Sequence, residues 1–274
     1  MALPGWLQRP IMQMTDEIYA RIPRPQPERD KLNGCRIISH RGDHDNLTVF
    51  ENTLASFDRI LDAGVWGIEL DIRWTRDLHP MVFHDASLKR LYGRPQKICD
   101  LTLSELKATA AIIPTLKEVI DRYARKLHLM AELKKEMYPD PVYQNRILRE
   151  LFAGLEAGVD FHILSLAPEL FNLLEGLPPP AFLPIAELDV GSLSELSIRE
   201  GYGGVLGHYL LVTEALRKKH QKCHQGVGTG FINSKQALFR ELNRGVDWIF
   251  SDQAVEMQNV CNPPRSHLKT SSEA

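Results

Sequence analysis

From Cys35 to about residue 251, short apolar runs alternate with longer segments in which polar and apolar positions are mixed. The apolar runs have the length of β-strands, and several of the longer segments have helix length and end at a glycine, as at Gly64, Gly158 and Gly245. Strands separated by helix-length segments are typical of parallel βαβ units. The pattern predicts nine strands, at residues 35–39, 65–74, 81–84, 128–133, 161–166, 181–187, 203–208, 226–231 and 247–251.

Nine strands are one more than a (β/α)8 TIM barrel needs. The interval between the second and the third is too short for a helix, so we expect one of the nine to be inserted or irregular. We predict an α/β fold, a (β/α)8 TIM barrel with a small inserted segment after the third strand and an N-terminal extension. A doubly wound open sheet is the alternative. The pattern predicts helices at residues 52–63, 114–125, 142–157, 168–175, 192–200, 213–220 and 234–244.

We divide the chain into an N-terminal helical and Pro-rich extension (residues 1–32), a barrel domain (33–258) and a flexible C-terminal tail (259–274). Within the extension, residues 11–22 have the pattern of a short amphipathic helix, and the Pro-rich residues 23–27 form a stiff connector. The extension packs either on the barrel or on a neighbouring subunit, and the sequence favours neither.

The composition is that of an ordinary globular protein, with 43% apolar and 25% charged residues. The net charge is −2 and no stripe of Lys and Arg is present, so broad electrostatic binding to nucleic acid or to an anionic membrane surface is not favoured. Stable membrane insertion is not expected either, because no apolar run approaches the length of a membrane span. Four widely spaced cysteines without a CxxC pair indicate free thiols in a reducing compartment. The sequence has no signal-peptide pattern, so we expect a cytoplasmic protein.

The second predicted strand carries Glu69 and Asp71 two positions apart, which places both carboxylates on one face with Cα atoms roughly 7 Å apart. Two carboxylates on a mostly buried strand repel each other and lose hydration unless a cation joins them. Oxygen ligands at this spacing suit Mg²⁺ or Ca²⁺, with Mn²⁺ also acceptable. The alternative is that both face solvent or pair with Arg73 or Arg76.

Further ionisable residues fall where other predicted strands end, and in a barrel these ends share one rim, where the active site lies. His40 and Arg41 end the first strand, His84 and Asp85 the third, and Glu132 and Lys134 the fourth. Three carboxylates (Glu69, Asp71 and Glu132) are then the ligands of one divalent cation. Arg41 and Lys134 supply positive charge for an anionic group, and His40 and His84 form a general acid and base pair.

At these residues the chain resembles the glycerophosphodiester phosphodiesterase family, whose fold is the phosphatidylinositol-phospholipase-C-like barrel. The family's motifs appear in order over about residues 35–255: His40-Arg41-Gly42, Glu51-Asn52-Thr53, Glu69-Leu70-Asp71, Thr75-Arg76-Asp77, His84-Asp85, Glu132-Leu133-Lys134 and Phe250-Ser251-Asp252. The resemblance implies metal-dependent hydrolysis of glycerophosphodiesters to glycerol 3-phosphate and an alcohol, with Glu51 close to the bound substrate. It leaves open whether a substrate hydroxyl or water attacks first.

The chain departs from the family pattern in one segment, where residues 228–233 replace a Trp-Thr-Val-Asn motif, so the usual aromatic wall is missing or comes from elsewhere. His44 in an acidic loop, and His208 and Tyr209 at a late strand end, have no assigned role. Two other functions stay open. One is phospholipase D-like or lysophospholipase D-like cleavage of a lipid phosphodiester, and the other is an inactive barrel that binds a phosphorylated ligand.

Overall fold

The computed structural model describes residues 16–263, and its centre is a closed barrel of eight parallel strands. Each barrel strand hydrogen-bonds to two others, and the pairing of the first with the second closes the ring, which excludes the open sheet. The strands of the sheet are β1 (Ile37–His40), β2 (Gly67–Trp74), β3 (Pro80–Val82), β4 (His128–Leu133), β5 (Phe161–Ser165), β6 (Phe182–Ala186), β7 (Gly204–His208), β8 (Gly226–Gly230) and β9 (Trp248–Ser251). The predicted (β/α)8 TIM barrel is confirmed.

Helices connect the strands and cover the outside of the barrel. They are residues 16–21 (α1), Arg29–Asn33 (α2), Leu54–Asp62 (α3), Lys89–Tyr92 (α4), Leu103–Thr109 (α5), Leu116–Tyr123 (α6), Pro141–Phe152 (α7), Val190–Glu200 (α8), Glu214–Lys222 (α9), Lys235–Arg244 (α10) and Ala254–Cys261 (α11). α5 begins with a capping box, in which the Thr102 side chain accepts from Glu105 N and the Glu105 side chain accepts from Thr102 N. The helix predicted at residues 168–175 is wrong, because Pro168–Leu173 instead forms a short 3-10 segment.

β3 is the extra strand, because it alone runs antiparallel, pairing with the end of β2. It opens the inserted segment, which continues through α4 and α5 before α6 returns the chain to β4. His84 and Asp85 therefore follow an inserted strand. The sequence pattern predicts that they end a barrel strand, and the structure corrects this prediction. Phe83 N donates to the carbonyl oxygen of Asp71 at 2.9 Å, which fixes this segment to the C-terminal end of β2.

The barrel interior has an apolar middle layer formed by Ile38, Met130, Leu164, Leu183, Leu206, Trp248 and Phe250. Because strand side chains alternate, the residues two positions before and two positions after a member of this layer also point into the barrel, on opposite sides of the layer. On β4 these are His128 and Glu132, which lie about 13 Å apart along the strand. The middle layer therefore separates a polar upper end of the barrel from a polar lower end.

The described part of the N-terminal extension packs on the barrel. Tyr19 contacts Tyr209 edge to face at 5.8 Å between ring centroids, and Arg24 N donates to Gln236 Oε1 at 2.7 Å. Tyr209 and His208, left unassigned by the sequence, thus lie against this segment, and both reach Asp16. The predicted helix at residues 11–22 lies partly outside the described residues, as do residues 1–15 of the extension.

At the other end, α11 continues three residues past residue 258, the predicted end of the barrel domain, because Met257 and Cys261 are buried in the core. Residues 264–274 of the predicted tail lie outside the described residues. The four cysteines are free, as predicted. Within residues 16–263, none of the helices has the length and apolar character needed to cross a membrane.

Candidate active site

Three carboxylates meet at the upper end of the barrel. Glu69 and Asp71 lie on β2, and Glu132 lies on β4, directly opposite Asp71 in the strand register. One carboxylate oxygen from each lies within 4.8 Å of the others, and the residues are 3%, 0% and 7% exposed respectively. The structure thus brings together the three residues that the sequence predicts as metal ligands.

Glu69 is the member of this cluster whose buried carboxylate has no hydrogen-bond partner in the described structure to offset the loss of hydration. Neither of its side-chain oxygens has a hydrogen-bond partner among the described residues, although both are buried. Burial, together with the nearby charges of Asp71 and Glu132, raises the pKa of Glu69 well above its ordinary value. A buried carboxylate without partners is costly, and a hard divalent cation is the group that oxygen ligands of this kind satisfy. The donor set therefore fits such an ion.

Asp71 is surrounded by donors. Lys134 Nζ lies 2.6 Å from Oδ1, Arg41 Nε lies 3.2 Å from Oδ2, and Asn52 Nδ2 donates to Oδ2 at 2.7 Å. Although burial acts to raise the pKa of Asp71, Lys134 and Arg41 hold it below its ordinary value. Asn52 thus binds Asp71, and Thr53 is the residue that caps α3.

The pairing of the two β2 carboxylates with Arg73 or Arg76, the alternative from the sequence, does not occur. Arg73 instead binds Glu136 at 2.8 Å, and Arg76 binds Glu105 at 2.9 Å.

Lys134 bridges two of the three carboxylates, because its Nζ also lies 2.8 Å from Glu132 Oε1. Burial acts to lower the pKa of Lys134, but the charges of Asp71 and Glu132 outweigh it and raise that pKa. The ammonium group is therefore charged at neutral pH, as a phosphate-binding role requires. Burial raises the pKa of Glu132.

His40 ends β1 above the middle layer. Its Nδ1 lies 2.7 Å from Asp252 Oδ1, and its Nε2 lies 3.9 Å from Glu69 Oε2. Asn233 Nδ2 holds the other oxygen of Asp252 at 3.1 Å. The ring of Phe231, 42% exposed, lies edge to face with His40 at 4.9 Å between centroids. Phe231 therefore supplies an aromatic surface within the segment where the family's Trp motif is replaced.

His84 has the same kind of partner, since its Nδ1 lies 2.6 Å from Asp85 Oδ1. Burial lowers the pKa of His84, with Arg41 and Lys134 adding to this effect and Asp71 opposing it. Arg73 Nε donates to the carbonyl oxygen of His84 at 3.0 Å and so fixes the backbone beside the ring.

Arg90, on α4 of the insert, is a site residue that the sequence reasoning missed. It donates to Glu51 Oε2 at 2.9 Å and to Asp85 Oδ2 at 2.7 Å, so it links Glu51 to the partner of His84. Arg41 Nη1 donates to Glu51 Oε1 at 3.1 Å. Although burial opposes it, these two arginines lower the pKa of Glu51 to about 2. In the sequence, the only indication of this role is a basic residue six positions after His84.

Near Glu51, His44 also approaches the site, with Nε2 3.9 Å from Glu51 Oε2.

Comparison with known proteins relates the chain to one group of enzymes. The sequence profile of the glycerophosphoryl diester phosphodiesterase family matches residues 40–147. A glycerophosphodiester phosphodiesterase of Bacillus altitudinis is 28% identical over 238 residues, which cover 79% of this chain and 94% of that protein. A glycerophosphodiester phosphodiesterase of Caldanaerobacter subterraneus is 33% identical over 127 residues, 42% of this chain and 51% of that protein.

Solved structures share the fold. A phosphodiesterase of Oleispira antarctica in complex with the product sn-glycerol-3-phosphate superposes with a TM-score of 0.70 at 24% identity, over 82% of this chain and 96% of that one. A crystal structure of a Galdieria sulphuraria protein described as a glycerophosphodiester phosphodiesterase gives 0.71 at 22% identity, over 83% and 97%. The family motifs, the matched profile and the matching relatives together indicate the glycerophosphoryl diester phosphodiesterase family of enzymes.

Proposed function

We propose that this enzyme hydrolyses glycerophosphodiesters to glycerol 3-phosphate and an alcohol with the help of one divalent cation. The observation that carries the proposal is the buried Glu69, Asp71 and Glu132 cluster, with Glu69 uncompensated, beside a histidine held by its own carboxylate. The names of the Bacillus and Caldanaerobacter relatives and the product bound to the Oleispira protein support the substrate class.

The three carboxylates are the proposed ligands of Mg²⁺ or Ca²⁺, with Mn²⁺ also acceptable to the same oxygens. When bound, such a cation polarises a phosphoryl oxygen and offsets the negative charge that develops there. Arg41 and Lys134 bring fixed positive charge to the same end of the barrel. We propose that they contact the phosphate, with Glu51 close to the substrate and oriented by Arg41 and Arg90.

His40 and His84 are the proposed general acid and base. A carboxylate beside Nδ1 favours the tautomer in which Nδ1 carries the proton, so Nε2 is the nitrogen that exchanges a proton with substrate. His40 Nδ1 faces Asp252 and His84 Nδ1 faces Asp85. One histidine takes the proton of the attacking hydroxyl or water, and the other protonates the leaving oxygen.

Release of glycerol 3-phosphate from glycerophosphocholine tests the main proposal. We expect EDTA to abolish release and one of Mg²⁺, Ca²⁺ or Mn²⁺ to restore it, and Glu69→Gln to stay inactive at any metal concentration. Glu187→Gln, an exposed carboxylate on another loop of the same end, serves as the matched control and keeps wild-type activity. Activity that survives both chelation and Glu69→Gln would rule out the metal assignment.

A second candidate substrate is a lipid phosphodiester, because apolar side chains are exposed on five loops that follow barrel strands. The loops after β1, β4, β5, β6 and β8 expose Leu47, Met137, Leu166, Leu188 and Phe231, with Val142 beside them at the start of α7. Loops that follow parallel strands lie at one end of a barrel, so these side chains surround the active-site end. Exposed apolar groups around a site are typical of contact with an apolar partner.

The triple variant Leu47→Ser, Met137→Ser and Val142→Ser separates the two substrates. If lipid is the substrate, kcat/KM for lysophosphatidylcholine falls by about tenfold or more while that for glycerophosphocholine is unchanged. Val159→Ser is the control, since Val159 is 59% exposed but precedes β5 at the opposite end. Equal effects on both substrates would exclude the lipid candidate. Absence of turnover with every diester would favour the inactive barrel that binds a phosphorylated ligand.

The cytoplasmic location stays a prediction.

A further inference from the structure

The lower end of the barrel holds a cavity of about 500 Å³, on the far side of the apolar middle layer from the active site. Most of its lining comes from residues at or just before the starts of β1, β5, β7, β8 and β9, and α9 contributes Arg217 and Gln221. The lining is polar, with Arg36, Arg217 and Asp247 among the residues that form it, and His162 at its base. Nothing in the proposed phosphodiesterase chemistry uses these groups.

A pair of buried histidines leads into this cavity. His128 Nδ1 lies 2.7 Å from the carbonyl oxygen of Val159, and His128 Nε2 lies 2.7 Å from His162 Nδ1. Burial lowers the pKa of His128 to about 4 and, with the charge effect of His128, that of His162 to about 3, so both rings are neutral at pH 7.

Neutral rings allow only one arrangement of the protons. A carbonyl oxygen only accepts hydrogen bonds, so His128 Nδ1 must carry the proton that it shares with Val159. His128 Nε2 is then an acceptor, and His162 Nδ1 must donate to it. The remaining nitrogen, His162 Nε2, is therefore unprotonated and presents a lone pair.

This nitrogen faces the cavity, and two glycines leave it accessible. A Cβ added at Gly203 would lie 3.3 Å from His162 Nε2, and one added at Gly158 would lie 4.0 Å from it. No hydrogen-bond partner for Nε2 occurs among residues 16–263, although His162 is only 3% exposed. This acceptor is open to the cavity, so a ligand that contacts it there must bring a donor.

The charged residues of the cavity define the rest of the ligand. Arg36 lies over Trp66 at 5.5 Å and makes no ion pair within 4 Å in the described part of the chain. Arg217 is paired with Glu214 at 2.8 Å, and Asp247 accepts from Val227 N at 2.8 Å. The cavity thus combines a cation that is free to bind an anion with two acceptors, His162 Nε2 and the Asp247 carboxylate.

We propose that the lower end of the barrel is a second binding site, for a small oxyanion that carries its own proton, such as inorganic phosphate. Arg36 binds the anionic oxygens, while the P–OH group donates to His162 Nε2 or to Asp247. A fully deprotonated oxyanion of the same shape has no hydrogen to give and leaves these acceptors unpaired, with a like charge facing Asp247. The site therefore discriminates hydrogenphosphate from sulfate.

NMR of the full-length protein labelled with ¹⁵N-histidine tests this proposal, because it reports on one ring and not on phosphate bound at the active site. His162→Phe assigns the resonance, and His162→Gln replaces it if the first variant does not fold. We expect an unprotonated Nε2 whose signal moves saturably with inorganic phosphate and stays still in sulfate at equal ionic strength. Arg36→Gln should weaken the phosphate effect by about tenfold or more.

Arg94→Gln, an exposed arginine on the insert at the opposite end, serves as the matched control and leaves the titration unchanged. A protonated Nε2 in the free protein would overturn the tautomer argument. No movement in phosphate, an equal movement in sulfate, or a titration unaffected by Arg36→Gln would each overturn the site.

Discussion

At the scale of single residues, Glu69 and Asp71 show how neighbouring carboxylates on one strand have opposite energetics. Asp71 is compensated by Lys134 and Arg41, whereas neither oxygen of Glu69 has a hydrogen-bond partner in the described structure. Without metal, the Glu69 charge should therefore destabilise the folded state and the Asp71 charge should stabilise it.

We accordingly expect Glu69→Gln to raise the free energy of unfolding in EDTA by on the order of 1 kcal/mol. Asp71→Asn should lower it by about 3 kcal/mol, because it takes one anionic partner from the buried Lys134 and from the partly buried Arg41. Urea denaturation at pH 7 measures both. A loss of stability in Glu69→Gln would show that Glu69 is compensated in solution and would weaken the case for a bound cation.

Arg90 is the residue whose role depends most on the three-dimensional structure, since it binds both Glu51 and Asp85. In Arg90→Gln, we expect kcat to fall by about tenfold, because the carboxylate partner of His84 loses its anchor. Its neighbour Lys89, exposed and without an ion pair in the described structure, provides the control Lys89→Gln, which should behave as wild type. A changed pH profile in Arg90→Gln, absent from the control, would distinguish positioning of His84 from a general loss of stability.

The histidine pair at the lower end gives a pH dependence of stability. The folded pKa values of about 4 for His128 and about 3 for His162 lie below the value near 6.5 of an exposed histidine. Between the folded values and pH 6.5, the unfolded chain therefore binds more protons than the folded chain does. The free energy of unfolding therefore loses nothing to these two histidines above pH 6.5, and it falls as the pH drops towards 4. We expect wild type to lose on the order of 2–4 kcal/mol between pH 7 and pH 5 from this pair, and His162→Phe to lose clearly less. Identical pH profiles by urea denaturation would contradict this expectation.

At the scale of elements, the insert that begins with β3 delivers His84 to a site otherwise built from barrel strands. Its attachment depends on Arg73, which donates to the His84 carbonyl oxygen and binds Glu136 at 2.8 Å. Arg73→Gln should lower kcat while metal affinity stays unchanged, since all three carboxylates lie on barrel strands. Activity measured beside a metal titration checks this, and a parallel loss of metal affinity would show that the insert also shapes the carboxylate cluster.

The same elements show what the sequence could predict. Strand alternation and parallel pairing place Glu69, Asp71 and Glu132 together, so their cluster followed from local pattern alone. The partners of His40 and Arg90 depend on loop conformations and on contacts such as His40 with Asp252, 212 positions away, which no local pattern contains. The wrong helix at residues 168–175 has a local cause as well, because periodicity does not separate a short 3-10 segment from an α-helix.

At the scale of the whole molecule, binding of the cation should stabilise the fold by mass action. A ligand that binds only the folded state raises the free energy of unfolding by about 2.7 kcal/mol at a hundredfold excess over Kd. We expect Tm to rise with the concentration of the native cation in wild type and to stay constant in Glu69→Gln. A Tm that does not change with the concentration of any divalent ion would contradict the proposed ligand set.

The apolar middle layer lies between the two polar ends of the barrel, and on β4 the residues on either side of it, His128 and Glu132, are about 13 Å apart. Perturbations separated in this way are usually additive. The double variant Glu69→Gln/His162→Phe should thus show the arithmetic sum of its parents' stability changes. One end of this barrel is then open to redesign while the other keeps its properties, which makes the protein a scaffold with two independent compartments.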